Sequence, residues 1–133
     1  MNQYLDILKK LNFKAKENGD IPVSAIVVKN NLIISKDYNK KIKNNNPFDH
    51  AEILAIKKAC KKLNTYNLND CELYVTLKPC KMCKEVINEC RIKKVYYYID
   101  QNKNVNDTIK YIKLEDKNAY FSLEIKDFFK NKR

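Results

Sequence analysis

Tyr4, Leu5, Leu8, Leu11 and Ala15 fall on one stripe at helical spacing and Asn18-Gly19-Asp20 closes the run, which predicts a helix over 2–17. From 21 to 28 the residues are mainly β-branched and apolar, Lys29-Asn30-Asn31 interrupts, and Leu32-Ile33-Ile34 resumes, the pattern of a hairpin of two buried strands. Residues 37–49, with three consecutive Asn and Pro47, have little apolar content and read as a loop. Helical spacing returns over 50–63, with Ile53, Ile56, Cys60 and Leu63 on one side and Lys57, Lys58, Lys61 and Lys62 largely on the other. A strand at 73–77, a turn at Pro79-Cys80, a short helix to about 90 and a strand at 95–99 follow. This β-α-β-α-β order with short connections implies a parallel element in a layered α/β domain. Beyond it, Ile109, Ile112 and Leu114 fit either period, 120–125 alternates as a strand, and 127–130 reads as a short terminal helix.

The chain has 133 residues, enough for one core and the size of a single domain, 1–133. No repeat, low-complexity tract or Gly/Ser linker divides it. With 44% apolar residues, one Gly and three Pro, neither a disordered nor a collagen-like chain fits. No apolar run approaches the ~20 residues of a membrane span and the start lacks signal-peptide segments, so the expectation is a cytoplasmic protein without a membrane partner. The net charge of +11 comes almost wholly from Lys, Arg occurring only at 91 and 133. It favours an anionic partner such as nucleic acid, although scattered Lys also serves simply to solubilise a surface.

Five Cys at 60, 71, 80, 83 and 90, an odd number, make a disulfide framework improbable and leave thiols available for metal or redox chemistry. His50-Ala51-Glu52 opens one helix and Pro79-Cys80-Lys81-Met82-Cys83 another. Either segment alone says little. Together one imidazole and two thiolates leave a tetrahedral Zn²⁺ with an open fourth position, which a catalytic zinc needs and a structural site usually closes. Cys80 and Cys83, one turn apart at a helix start, place both sulfurs on one face, where free N–H groups and the helix dipole favour thiolates. Glu52 lies two residues past the His, close enough to take a proton from water at the metal and deliver it to a ring nitrogen and a leaving amine. The chain has no second His, and Cys60, Cys71 and Cys90 are better explained by burial.

These motifs, with Ile-Pro-Val at 21–23, Asn39, the run from Leu73 to Cys83, Arg91-Ile92 and Asp127-Phe128-Phe129, resemble the cytidine deaminase-like superfamily of zinc-dependent deaminases. Within it they are most similar to the bacterial tRNA-specific adenosine deaminases. The resemblance implies an α/β fold of three layers, α/β/α, with a central mixed sheet of about five strands. It implies zinc on His50, Cys80 and Cys83, Glu52 as proton shuttle, Asn39 as a hydrogen-bonding partner of the purine, and Ile21 and the Ala51 backbone lining the base pocket. It also implies a homodimer acting on a tRNA anticodon loop, a hydrolase of tRNA processing that converts adenosine to inosine at the wobble position.

The chain departs from the family pattern at Ser24, where Gly is usual, at Asp49, where a small residue precedes the His, at Lys78 in place of Glu, and at Lys84-Glu85-Val86 in place of small residues. Three alternatives stay open. The substrate is a free nucleotide or base such as deoxycytidylate, cytosine or guanine; the chain is a zinc-stabilised RNA-binding module, for which Glu52 would have no use; or Asn39 merely caps a turn. In a strand, Tyr96 and Tyr98 share one face and Tyr97 takes the other, so at least one of these rings belongs to a core rather than to a base-stacking platform.

Overall fold

The computed structural model describes residues 2–101 and 109–131. The first helix, α1 (Asn2–Glu17), buries Tyr4, Leu8, Leu11 and Ala15, the expected stripe. It ends where Gly19 takes φ 78°, while Gly19 N–H bonds Lys16 O at 2.9 Å and Asp20 N–H bonds Ala15 O at 2.9 Å. That is a Schellman cap, whose left-handed residue is cheapest as glycine. Strands β1 (Ser24–Lys29) and β2 (Leu32–Tyr38) form an antiparallel hairpin closed by Asn30 and Asn31, both at positive φ, as a two-residue primed turn requires.

Helix α2 (Ala51–Leu63), strand β3 (Glu72–Leu77), helix α3 (Lys81–Glu89) and strand β4 (Lys94–Ile99) follow in the order read from the pattern. A short strand β5 (Lys110–Lys113) and helix α4 (Tyr120–Asn131) close the described chain. The five strands lie in the order β2-β1-β3-β4-β5, with β1 antiparallel to both neighbours and β3, β4 and β5 mutually parallel, a mixed sheet.

Strand alternation divides the core into two layers. Ala25, Val27, Leu73, Val75, Val95 and Tyr97 face α2 and α3, whereas Ile26, Val28, Tyr74 and Tyr98 face α1 and α4. The three-layer arrangement expected from the resemblance is the one found. Tyr97 and Tyr98 are buried on opposite faces, and Tyr96 stacks on Tyr74 with ring centroids 4.6 Å apart, so all three rings of the tyrosine run pack within the protein. Among the described residues no helix is long and apolar enough to cross a membrane.

The strand expected at 120–125 is a correction: these residues begin α4. Phe121, Glu124, Ile125 and Phe128 form its inward stripe, at helical spacing that includes a charged residue, so the apolar positions alone do not show the helical period. Glu124 is buried because Asn12 Nδ2 donates to it at 2.9 Å and Lys16 Nζ lies 2.8 Å away. Asp116 starts the helix by accepting from the N–H groups of Phe121 (2.9 Å) and Ser122 (3.0 Å).

At the end of β2, buried Asp37 holds two cations, Lys40 and Lys58, each with Nζ at 2.9 Å from a carboxylate oxygen. Burial pushes its carboxyl up, but the hydrogen bonds from Lys58 and Lys40 and from the Tyr38 N–H outweigh this and hold it below the ordinary aspartate value. A depressed pKa contributes stability above the unfolded value of about 3.9, and that contribution is lost as pH falls through the folded value. Asp37→Asn is therefore expected to lower stability at pH 7 by about 1–3 kcal/mol, read by urea denaturation, and the gap from the parent protein should shrink toward pH 3.

Candidate active site

Two helices begin at the same point. His50, extended at φ −74° and ψ 151°, is the N-cap of α2, and Cys80, extended at φ −72° and ψ 175°, is the N-cap of α3. Cys83 sits one turn into α3, so both sulfurs and the imidazole meet where two sets of free helix N–H groups converge. His50 Nδ1 lies 3.8 Å from Cys80 Sγ and 3.4 Å from Cys83 Sγ, and the three donor atoms are all within 4.8 Å of one another. Zinc bonds of about 2.0–2.1 Å to nitrogen and about 2.3 Å to sulfur place tetrahedral N and S donors about 3.6 Å apart, so the spacing fits a zinc ion.

The electrostatics fit as well. Burial, and then the charge of Lys41, push His50 below its ordinary value against the pull of Asp20, leaving the neutral ring that a metal requires. Burial, with Glu52 and Cys80 close by, pushes the Cys83 thiol up, and a divalent cation among these donors reverses that direction, since a coordinated thiol is deprotonated. Burial pushes the Cys71 and Cys90 thiols up to about 11, while Cys60 is half-buried, consistent with all three being packing residues.

Glu52, only 4% exposed, stands in the first turn of α2. Burial pushes its carboxyl up to about 7, partly offset by its own backbone N–H and by the Cys83 thiol. A carboxyl that titrates near neutrality both accepts and returns protons readily.

A cavity of about 130 Å³ opens at this point, with Ile21, Val23 and Leu77 as apolar walls and Asn39, Lys41, His50, Glu52, Cys80 and Gln101 as polar ones. Of the residues expected to meet substrate, Ile21 and Asn39 are on the wall. Ala51 is fully buried behind it, and its N–H is already taken by Asn39 Oδ1 at 2.8 Å. Asn39 thus does two things: its oxygen caps α2, and its Nδ2 donor is the group left for a ligand. Val23, Lys41, Leu77 and Gln101 were not singled out from the sequence. The signals were a cation two residues past Asn39 and the positions at or just beyond the ends of β3 and β4, where open α/β sheets carry their ligands.

The family model for the cytidine and deoxycytidylate deaminase zinc-binding region matches residues 1–99. The chain belongs to this deaminase family. It is 51% identical over 84 residues to the tRNA-specific adenosine deaminase of Aquifex aeolicus, a match covering 63% of this chain and 56%, little more than half, of that protein. It is 35% identical to the tRNA-specific adenosine deaminase of Buchnera aphidicola subsp. Schizaphis graminum, covering 98% of this chain and 94% of that protein. Among solved structures, one from a study of A-to-I editing by tRNA A34 deaminases superposes with a TM-score of 0.77 at 24% identity, covering 85% of this chain and 98% of that one. The guanine deaminase of Bacillus subtilis superposes with a TM-score of 0.69 at 38% identity, covering 74% of this chain and 64% of that one.

About one zinc per chain is expected on elemental analysis of the purified protein. Cys83→Ser and His50→Ala should each drop the content well below that ratio, and Cys60→Ser should leave it unchanged.

Proposed function

We propose that this deaminase hydrolyses adenosine to inosine at the wobble position of tRNA. The observation that carries this reading is the placement of Glu52 on the wall of a base-sized cavity beside His50, Cys80 and Asn39. The likeness to the tRNA-specific adenosine deaminase of Buchnera aphidicola over 98% of this chain supports the substrate, as does the net charge of +11.

Ile21, Val23 and Leu77 would take the faces of the purine, and Asn39 Nδ2 would donate to an acceptor on its edge. His50, Cys80 and Cys83 would hold a zinc ion, which would supply Lewis acidity and lower the pKa of a water molecule in the cavity. Glu52 takes a proton from that water as its oxygen adds to C6 and delivers the proton to N1. Glu52 then passes the second water proton to the amino group, the C6–N bond breaks, ammonia leaves, and inosine remains. A base paired in a helix cannot reach such a cavity, whereas a splayed anticodon-loop nucleotide can. The family resemblance further supports a homodimer, which sizing in solution would read as a species of twice the chain mass, and a tRNA substrate accords with a cytoplasmic enzyme.

Incubated with an anticodon stem-loop bearing adenosine at the wobble position, the protein should produce inosine there by sequencing, and free adenosine should react poorly. Ammonia release from deoxycytidylate, cytosine and guanine, run in parallel, identifies the competing reading. Rapid turnover of one of them without edited RNA would replace the tRNA substrate.

Glu52→Gln should keep its zinc and lose at least about a hundredfold in kcat, because the amide keeps the shape and cannot carry the proton. Asn39→Asp keeps the oxygen that caps Ala51 and exchanges the donor for a carboxylate oxygen and its charge, so Asn39→Ser, which loses the amide donor without adding charge, is measured beside it. Each should retain fold and zinc while kcat/KM falls roughly tenfold or more.

A further inference from the structure

A cavity of about 130 Å³ is small beside the roughly 300–1,000 Å³ of pockets that enclose a whole drug-sized ligand. It takes a base and leaves sugar and phosphates outside, past its polar rim. Lys41 is the lysine on that wall.

Its neighbour Lys40 is committed to Asp37, with Nζ 2.9 Å from the carboxylate, and to the Tyr38 ring, 4.7 Å from the centroid. Lys41 makes no ion pair with any described residue. Among the described residues no carboxylate lies within ion-pair distance of it, and three acids of this region bond other groups. Asp20 Oδ2 accepts from the Ile42 N–H at 2.9 Å, Asp49 Oδ2 accepts from the Asn44 amide at 2.8 Å, and Glu52 is buried against Cys83.

The backbone that carries Lys41 is pinned on both sides. Its own carbonyl accepts from the Asn46 N–H at 2.9 Å, and the next residue is the one held by Asp20. A half-buried ammonium on such a backbone loses less freedom on gripping an anion than the exposed lysines of α2 would.

We propose that Lys41 grips the phosphodiester flanking the target nucleotide, so that the backbone phosphate, and not the base alone, is recognised at this site. The inference rests on the polynucleotide reading above. It makes Lys41 a specificity-determining residue: a free base brings nothing for it to hold.

The test uses the full chain and an anticodon stem-loop RNA with adenosine at the wobble position. Affinity is followed by fluorescence anisotropy against salt concentration, in a Glu52→Gln background so that the RNA stays unreacted. Adding Lys41→Ala should weaken binding roughly tenfold and make the slope of log K against log salt shallower by about one, and Lys41→Arg should restore both. In the otherwise unaltered enzyme the same substitution should raise KM for the RNA roughly tenfold, and Lys41→Arg should restore it.

A neutral methylphosphonate placed on the 5′ side of the target, and separately on the 3′ side, locates the contact. One of the two should weaken binding when Lys41 is present and have no further effect when it is alanine, since the interaction is then already gone. An unchanged salt slope in Lys41→Ala, or losses that add in full for both methylphosphonates, would overturn the proposal. Absence of inosine with the unaltered protein would instead overturn the proposed substrate, and the binding slope would still decide the role of Lys41.

Discussion

Burying the Glu52 carboxyl and the Cys83 thiol beside one imidazole is unfavourable for the anionic form of each, and the site is organised around that cost. Glu52 and Cys83 are both buried; burial pushes each up, Glu52 raises the Cys83 thiol further, and the Cys83 thiol in turn partly offsets the rise at Glu52. Nothing in the apolar walls can offset such charge, but a divalent cation can, and so can the dipoles at the starts of α2 and α3. The sheet supplies the geometry. Parallel β3 and β4 end at the same level, β3 feeds α3 directly, and the loop from β2 feeds α2, so two helix N-termini arrive together.

The stretch from Asn39 to His50 reaches this point without regular secondary structure, and buried polar side chains take its place. Asp49 is buried, with its carbonyl accepting from the Lys40 N–H at 3.0 Å and its carboxylate from Asn44. Asp20, at the end of α1, reaches across to the Ile42 N–H, and Asp37 anchors Lys40 from β2. The loop is therefore fastened to the end of α1 and to β2 and closed on itself through Asp49, which is how Asn39 and Lys41 hold fixed positions at the cavity.

Three departures from the family pattern, Ser24, Lys78 and Lys84, are accommodated locally. Ser24 is fully buried, and its hydroxyl donates to Leu8 O at 3.0 Å, tying α1 to β1. Lys78 lies over the rings of Tyr97 and Tyr111, with Nζ 5.3 Å from each centroid, and Lys84 lies 4.8 Å from that of Tyr111. Aromatic faces thus surround both ammonium groups on the side of the sheet where β5 and α3 meet.

Periodicity and spacing determined a good deal of this protein: α1, α2, the β1–β2 hairpin and the β3-α3-β4 unit, while the grouping of His50, Glu52, Cys80 and Cys83 came from their motifs read together with the family resemblance. Local geometry is sufficient for these elements. A helical stripe, an Asn-Asn turn and a C-x-x-C at a helix start carry their meaning within a few residues. Tertiary structure decided what depends on neighbours distant in sequence. Glu124 looks like a solvent residue until Asn12 and Lys16 receive it, and only then is 120–125 a helix. Ala51 reads as a pocket residue until Asn39 is seen to take its N–H. Lys41 is one of many lysines until the folded loop places it on the cavity wall while the nearby carboxylates bond elsewhere. A chain sequence records which charges exist, and which of them stay unneutralised is settled only by the distances that folding creates.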